Sequence, residues 1–272
     1  MIYGNAAWGF RETPLEEQFR ITRDMGLSAL ELGIANAPMD VPLEVTDGEL
    51  ARIKALEDQY GVRLLCAATG NDFTTGKDDI AKIKGVMDIC AALEIPMLRI
   101  FAGFTAKEEV SEAAFDSMLE SLTEACRYGE VKGVTPVIET HGGVNGFDDG
   151  VEHFESVTTD MESLTRILAA LPGNARICFD PANLYAVGHS HPEQFYDAFR
   201  EKVAYAHFKD FASLPSGHLK PSHCGDSQMN WAPILQAMAH FPGAVMFEYE
   251  NVEDVEAGLR RSYAYIKNEV QS

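Results

Sequence analysis

Short apolar runs recur along the chain, separated by longer stretches whose apolar positions fall at helical spacing. The runs are Ile2–Gly4, Ala29–Gly33, Arg63–Ala67, Met97–Phe101, Thr135–Glu139, Ala175–Phe179, Val203–Phe208 and Ala244–Glu248. Their starts stand 27 to 41 residues apart, which is too far for hairpins and suits strand–helix–strand crossovers. Such continuous apolar character predicts parallel strands covered on both faces. Thr13-Pro14-Leu15-Glu16, Thr159 with Glu162, and Ser190 with Glu193 read as capping boxes. Gly26, Gly61 and Gly133 read as helix stops, and the last helix is predicted over about Val252–Val270. Eight strands, each followed by a helix, predict an α/β chain closed into a (β/α)8 TIM barrel, one domain over residues 1–272. An open doubly wound sheet would need protected edges, and no strand carries an edge charge or proline that serves this purpose.

The same pattern places four polar groups at the C-terminal ends of consecutive strands, where barrels of this kind collect catalytic residues. PVIETHGG delivers Glu139 and His141 to one face, RICFDPANL ends in Asp180, VAYAHFKD in His207 and AVMFEYE in Glu248. Unrelated rim ion pairs are the bland alternative. Three carboxylates converging without a cation would repel one another, and a divalent metal removes the conflict. Three oxygens and one imidazole nitrogen suit a six-coordinate ion with positions left for substrate. Mn2+ is favoured, with Co2+, Mg2+ and Zn2+ as alternatives. A metal there acts as a Lewis acid toward an α-hydroxy ketone and stabilises the enediolate formed on proton loss. Glu139 and Glu248 are the expected acid–base pair, one on each side of the substrate.

His141, Lys209, His223 and Trp8 are candidates for substrate contact, although Lys209 could instead pair with Asp210 or Glu250 and Trp8 could pack in the core. Arg99, in MLRIF on strand four, carries the same ambiguity between substrate contact and ion pair, with a structural ion pair favoured. LKPSHCGDSQMNW, which carries His223, reads as a loop over the site. The segment Gly142–Thr158 reads either as a lid or as an ordinary insertion.

Composition narrows the partners. Lys and Arg total 22 against 42 Asp and Glu, a net charge of −20 that repels nucleic-acid phosphates and anionic membranes. No apolar run approaches the length of a membrane span and the N-terminus lacks a signal-peptide pattern, so a cytoplasmic protein is expected. The five cysteines are widely spaced with no CxxC pair, and reduced core thiols are expected.

IETHGG, DPANL, AHFKD and FEYE, in this order at strand ends, with GDSQMNW before the seventh helix, resemble the sugar phosphate isomerase/epimerase superfamily, whose barrel is xylose isomerase-like. The resemblance covers the whole chain. It implies that Glu139, Asp180, His207 and Glu248 hold a divalent metal, that the two glutamates exchange protons, and that the substrate is a small carbohydrate. Relatives include ketose 3-epimerases, hydroxypyruvate isomerase, inosose dehydratases and endonuclease IV nucleases, and many assemble as homo-oligomers. Ketose 3-epimerases have a sugar-binding histidine three residues after the metal aspartate and an arginine about six after the metal histidine. Asn183 and Ser213 stand there, which makes Asn183 a substrate-contact candidate and points away from a plain ketose 3-epimerase. A nuclease would need further metal-binding histidines, whereas strands two and three offer Glu31 and Asn71. The expected function is a metal-dependent sugar isomerase or epimerase; a dehydratase of the inosose dehydratase kind and a non-catalytic sugar-binding barrel are the alternatives.

Overall fold

A computed structural model describes residues 1–76 and 79–271. Among them, eight parallel strands close into a barrel. These are β1 (Ile2–Asn5), β2 (Ala29–Gly33), β3 (Arg63–Ala68), β4 (Met97–Ile100), β5 (Thr135–Glu139), β8 (Arg176–Phe179), β9 (Val203–Phe208) and β12 (Ala244–Phe247). All eight lie at the predicted positions, with ends shifted by at most a residue. β1 pairs with β12, so no edge is left open. The outer layer comprises α1 (Leu15–Asp24), α2 (Asp47–Tyr60), α3 (Asp79–Leu93), α4 (Glu112–Lys132), α5 (Met161–Ala170), α6 (Pro181–Ala186), α7 (Glu193–Phe199), α8 (Trp231–Ala237) and α9 (Val255–Gln271). No helix among the described residues is long and apolar enough to cross a membrane.

Four further strands were not anticipated as a sheet: β6 (Gly143–Gly146), β7 (Val151–Phe154), β10 (Asp210–Ser213) and β11 (Leu219–Ser222). They form an antiparallel accessory sheet in the order β10-β11-β7-β6, joined across β7 and β11 by Leu219 opposite Val151. Gly142–Thr158 therefore contains a hairpin, and LKPS is a strand preceding its loop. The turns Asp149-Gly150 and Ser216-Gly217 carried a hairpin signal.

Strand alternation divides the core in two. Ile138, Ile177, Phe179, Ala206, Phe208, Val245 and Phe247 belong to the large cluster between sheet and helices. Val137, Cys178, Tyr205 and Met246, offset by one residue, fill a smaller cluster inside the barrel with Ala29, Cys66 and Ala244. All five cysteines are buried and free, as expected.

None of the three predicted capping boxes forms. Pro14 occupies the N-cap of α1 in extended conformation and has no side-chain acceptor, so Thr13 lies outside the helix. Asp160, one residue beyond Thr159, caps α5 because its carboxylate accepts the Ser163 N–H at 2.9 Å. Pro192 rather than Ser190 precedes α7. The capping box that does form is Thr46 with Glu49 on α2. Val252–Asp254 is a 3-10 turn, so α9 starts three residues later than predicted. Gly61 and Gly133 end α2 and α4 in left-handed conformation.

Phe208 is fully buried, 4.9 Å centroid to centroid from Trp231 and 6.3 Å from Phe247. Phe208→Ala is expected to cost about 3–5 kcal/mol of unfolding free energy, measured by urea denaturation. A loss under about 1 kcal/mol would show that the layer between sheet and helices does not depend on this contact.

Candidate functional site

Because side chains two apart on a strand share a face, the residues following the interior cluster also point into the barrel. Val137 leads to Glu139, Cys178 to Asp180, Tyr205 to His207 and Met246 to Glu248. The four groups meet: each offers a ligand atom, these atoms lie within 4.8 Å of one another, and all four residues are buried.

Each group is held from behind. His207 Nε2 lies 3.2 Å from Glu31 Oε1, and Glu31 also accepts the Tyr205 hydroxyl at 2.7 Å and the Ala7 N–H at 3.0 Å. His207 Nδ1 is thereby turned to the cluster, 3.6 Å from Glu139 Oε1 and 3.8 Å from Glu248 Oε1, buried and without a hydrogen-bond partner. Asp180 caps α6 through Oδ1, which accepts the Ala182 and Asn183 N–H groups at 2.9 and 3.0 Å. Its Oδ2 is also buried and has no hydrogen-bond partner. Glu139 Oε2 pairs with Arg99 Nε at 3.2 Å, and its Oε1 accepts from Asn183 Nδ2 at 3.1 Å. Glu248 Oε2 accepts from Lys209 Nζ at 2.7 Å, and the same ammonium lies 2.9 Å from Glu250 and 3.3 Å from Asp180 Oδ2.

The electrostatics of this arrangement favour a cation. Burial pushes the Asp180 carboxyl up to about 7, with the charges of Glu139 and Glu248 adding to the effect against the opposing pull of Lys209. Burial likewise raises Glu248. Glu139 is pushed up by burial too, but the Arg99 guanidinium and His207 outweigh it and hold it well below the usual carboxylate range. At 4.8 Å two carboxylates repel by roughly 3–4 kcal/mol at an effective dielectric constant of about 20. Two buried polar atoms without a hydrogen-bond partner, Nδ1 and Oδ2, lie within 4.8 Å of two carboxylate oxygens. That set of three oxygens and one nitrogen fits a divalent metal ion.

The cluster forms part of the floor of a cavity of about 360 Å³ at the C-terminal mouth of the barrel. Arg99, Glu139, Lys209, Glu248 and Glu250 line its polar end. Trp8, Phe101 and Phe104 line it from the barrel loops, and Val151, His153, Phe211 and Pro221 from the accessory sheet. His141 also lines it, edge-on to Phe101 and Phe104 with ring centroids 5.3 Å from each. Its Nδ1 faces the Gly142 carbonyl oxygen at 2.5 Å and so donates there; burial lowers its pKa and keeps the ring neutral. Asn183 reaches the cluster through Glu139 and is not among the cavity-lining residues described. His223 is not among them either. Its Nδ1 lies 3.1 Å from the Cys224 carbonyl oxygen on the loop beyond β11, and the neighbouring Pro221 supplies the contact instead. Glu31, Tyr205 and His153 were not anticipated in these places, whereas Lys209 pairs with Glu250, one of its two expected partners. Glu31 and Tyr205 could have been found from strand parity, since Tyr205 shares the face of His207.

Residues 19–269 match the family described as the xylose isomerase-like TIM barrel. The chain belongs to this family. No curated protein matches it in sequence. Among solved structures it is similar to the probable 3-DHS dehydratase AsbF of Bacillus anthracis, at 14% identity over 98% of this chain and 99% of that one with a TM-score of 0.79. It is similar also to the zinc-bound IolI protein, at 16% identity over 100% and 98% with a TM-score of 0.79. The D-allulose 3-epimerase of a Methylomonas species is 13% identical over 99% and 98%, with a TM-score of 0.76. At these identities the likeness establishes the shared barrel and nothing finer.

In this xylose isomerase-like barrel the support of His207 by Glu31 has a measurable consequence. Mn2+ at about 100 times its Kd is expected to raise unfolding free energy by about 2.7 kcal/mol. Glu31→Gln, which leaves all four candidate ligands in place, is expected to weaken Mn2+ binding roughly 10- to 100-fold by calorimetric titration. Equal affinity in the variant would show that Glu31 does not orient the imidazole.

Proposed function

We propose that the protein is a divalent-metal-dependent isomerase or epimerase of a sugar-derived α-hydroxy ketone, with Glu139, Asp180, His207 and Glu248 holding one ion, Mn2+ preferred. The observation that carries this reading is the approach of those four donors to within 4.8 Å beneath a cavity that Glu139 and Glu248 both line. When bound, the metal supplies Lewis-acid polarisation of the hydroxy-ketone oxygens, which acidifies the carbon-bound hydrogen. The chain supplies the rest. One glutamate takes the proton from carbon and the other delivers a proton to the opposite face, giving an epimer, or to the adjacent carbon, giving an aldose–ketose isomer. Arg99 and Asn183 fix the Glu139 carboxylate, and Lys209 fixes that of Glu248, so neither has to reorganise when the substrate arrives. Lys209 stays an ammonium: burial lowers its pKa, but Asp180, Glu248 and Glu250 raise it well above the usual lysine value. His141, neutral and at the cavity wall, offers its Nε2 to a substrate hydroxyl, and Trp8 supplies an apolar face. The acidic composition, together with the uncharged sugar-sized cavity mouth, makes a nucleic-acid partner a poor fit.

One observation keeps a dehydratase in view. Lys209 lies on the cavity surface 2.7 Å from Glu248 and could protonate a departing β-hydroxyl after the same carbon–hydrogen bond is broken. The two outcomes separate cleanly by product. An isomerase or epimerase returns a sugar of unchanged formula that has exchanged hydrogen with the solvent, whereas a dehydratase yields conjugated unsaturation with ultraviolet absorbance.

Incubating the Mn2+-loaded protein with a panel of ketoses in D2O is expected to place deuterium at the carbon beside the carbonyl, detected by NMR. Glu248→Gln is expected to lower the rate of incorporation about 100-fold or more. Incorporation at the wild-type rate in Glu248→Gln, or no incorporation from any ketose, would end this reading.

A further inference from the structure

The cavity is chemically divided. Its polar end is the carboxylate floor, and the remainder is mostly apolar, with His141, His153 and Asn36 as its polar side chains. Phe101, Phe104 and Trp8 face it from the barrel loops; Val151, Phe211 and Pro221 face it from the accessory sheet. The polar side chain that the sheet brings to the cavity is His153, whose ring packs on Phe211 at 4.8 Å and whose two nitrogens are buried without a hydrogen-bond partner. Burial holds this imidazole down to about 4, so it adds no charge at neutral pH.

Charge is equally one-sided. Among the described residues lining the cavity, the cations are Arg99 and Lys209, and both are committed to carboxylates, Arg99 to Glu139 at 3.2 Å and Lys209 to Glu248, Glu250 and Asp180 at 2.7, 2.9 and 3.3 Å. A phosphate or carboxylate on the ligand would find no unpaired positive partner and would meet Glu250 instead. A plain polyhydroxylated sugar filling the upper part would leave those hydroxyls that reach none of His141, His153 and Asn36 unbonded against aromatic rings.

We infer that the substrate is an uncharged sugar ketone carried as a glycoside: the α-hydroxy ketone portion of its ring at the carboxylate floor, and a ring-sized apolar aglycone seated between the barrel-loop aromatics and the accessory sheet. This rests on the preceding reading for the ketone and in taking the barrel mouth as the place where substrate binds. An aromatic aglycone suits the site on two counts. It buries apolar area against apolar walls, and it can stack or tilt against Phe104 and Phe211. The accessory sheet is then a specificity element that recognises what the sugar is attached to.

Equilibrium binding tests the inference without requiring turnover. Phenyl β-D-glucopyranoside, methyl β-D-glucopyranoside and glucose 6-phosphate are titrated at millimolar concentration into the Mn2+-loaded protein and followed by saturation-transfer NMR. The phenyl glucoside is expected to bind about tenfold or more tighter than the methyl glucoside, and the phosphate ester weakest. Val151→Asp, which puts a charge in the apolar wall, is expected to reduce the phenyl preference to less than about twofold while Mn2+ affinity is retained; Phe104→Ser on the opposite wall serves as a second variant should the first not fold. Equal affinity for the two glucosides, tightest binding of the phosphate ester, no binding of either glucoside, or a phenyl preference that survives both substitutions would each overturn the inference. Phenyl preference without deuterium incorporation removes the enediolate reading alone. Incorporation without phenyl preference removes this one alone.

Discussion

Three carboxylates brought within 4.8 Å of one another inside a protein are the constraint on which the rest of this site depends. Repulsion of roughly 3–4 kcal/mol per pair would expel them or protonate them unless the surroundings supplied positive charge. The chain supplies part of it. Arg99 takes Glu139, Lys209 bridges Glu248 and Asp180, and the N-terminus of α6 takes the other oxygen of Asp180. Among the four candidate ligands, His207 Nδ1 and Asp180 Oδ2 are buried without a hydrogen-bond partner, the latter 3.3 Å from Lys209. Compensation that stops short at one point suits a cation. A fold seeking only stability would have used apolar residues at these positions.

The barrel makes this convergence possible through parity. A closed parallel sheet has one interior, and every strand sends alternate side chains into it. Val137, Cys178, Tyr205 and Met246 fill the lower interior with apolar volume, and the next interior position on each strand is the charged group. Apolar packing below and charge above therefore come from the same periodicity. The packing sets the strand register, and register sets the distances among the four donors. Glu31 shows how far this extends: buried on β2, it fastens Tyr205 and His207 together, joining the packed layer to the reactive one.

These relations explain what could be read from the residues alone. Glu139, Asp180, His207 and Glu248 were legible because charged groups at the ends of apolar runs have no cheap structural use. Glu31 was visible only as a lone acid within a continuous apolar strand, and no local rule says which neighbour it serves. His223 was misplaced because a polar residue in a glycine- and proline-rich loop looks available, yet Pro221 on β11 is what reaches the cavity. The capping boxes failed because a four-residue motif does not specify which oxygen closes the helix, and Asp160 competes better than Thr159 for the Ser163 N–H. The accessory sheet was missed for a related reason. Its strands are four residues long and partly polar, and its two hairpins become one sheet only where Val151 of β7 meets Leu219 of β11, 219 − 151 = 68 residues on, a non-local term that composition does not carry.

The division between floor and walls follows from the same distinction between local and non-local information. The floor is made by strands whose interior positions are dictated by the barrel, so proteins sharing the fold can share its chemistry. The walls come from loops and from β7, β10 and β11, which the barrel does not dictate. Substitutions there can alter what sits above the four donors without touching the strands that carry them. Specificity therefore has to be sought in those walls rather than among the four donors beneath.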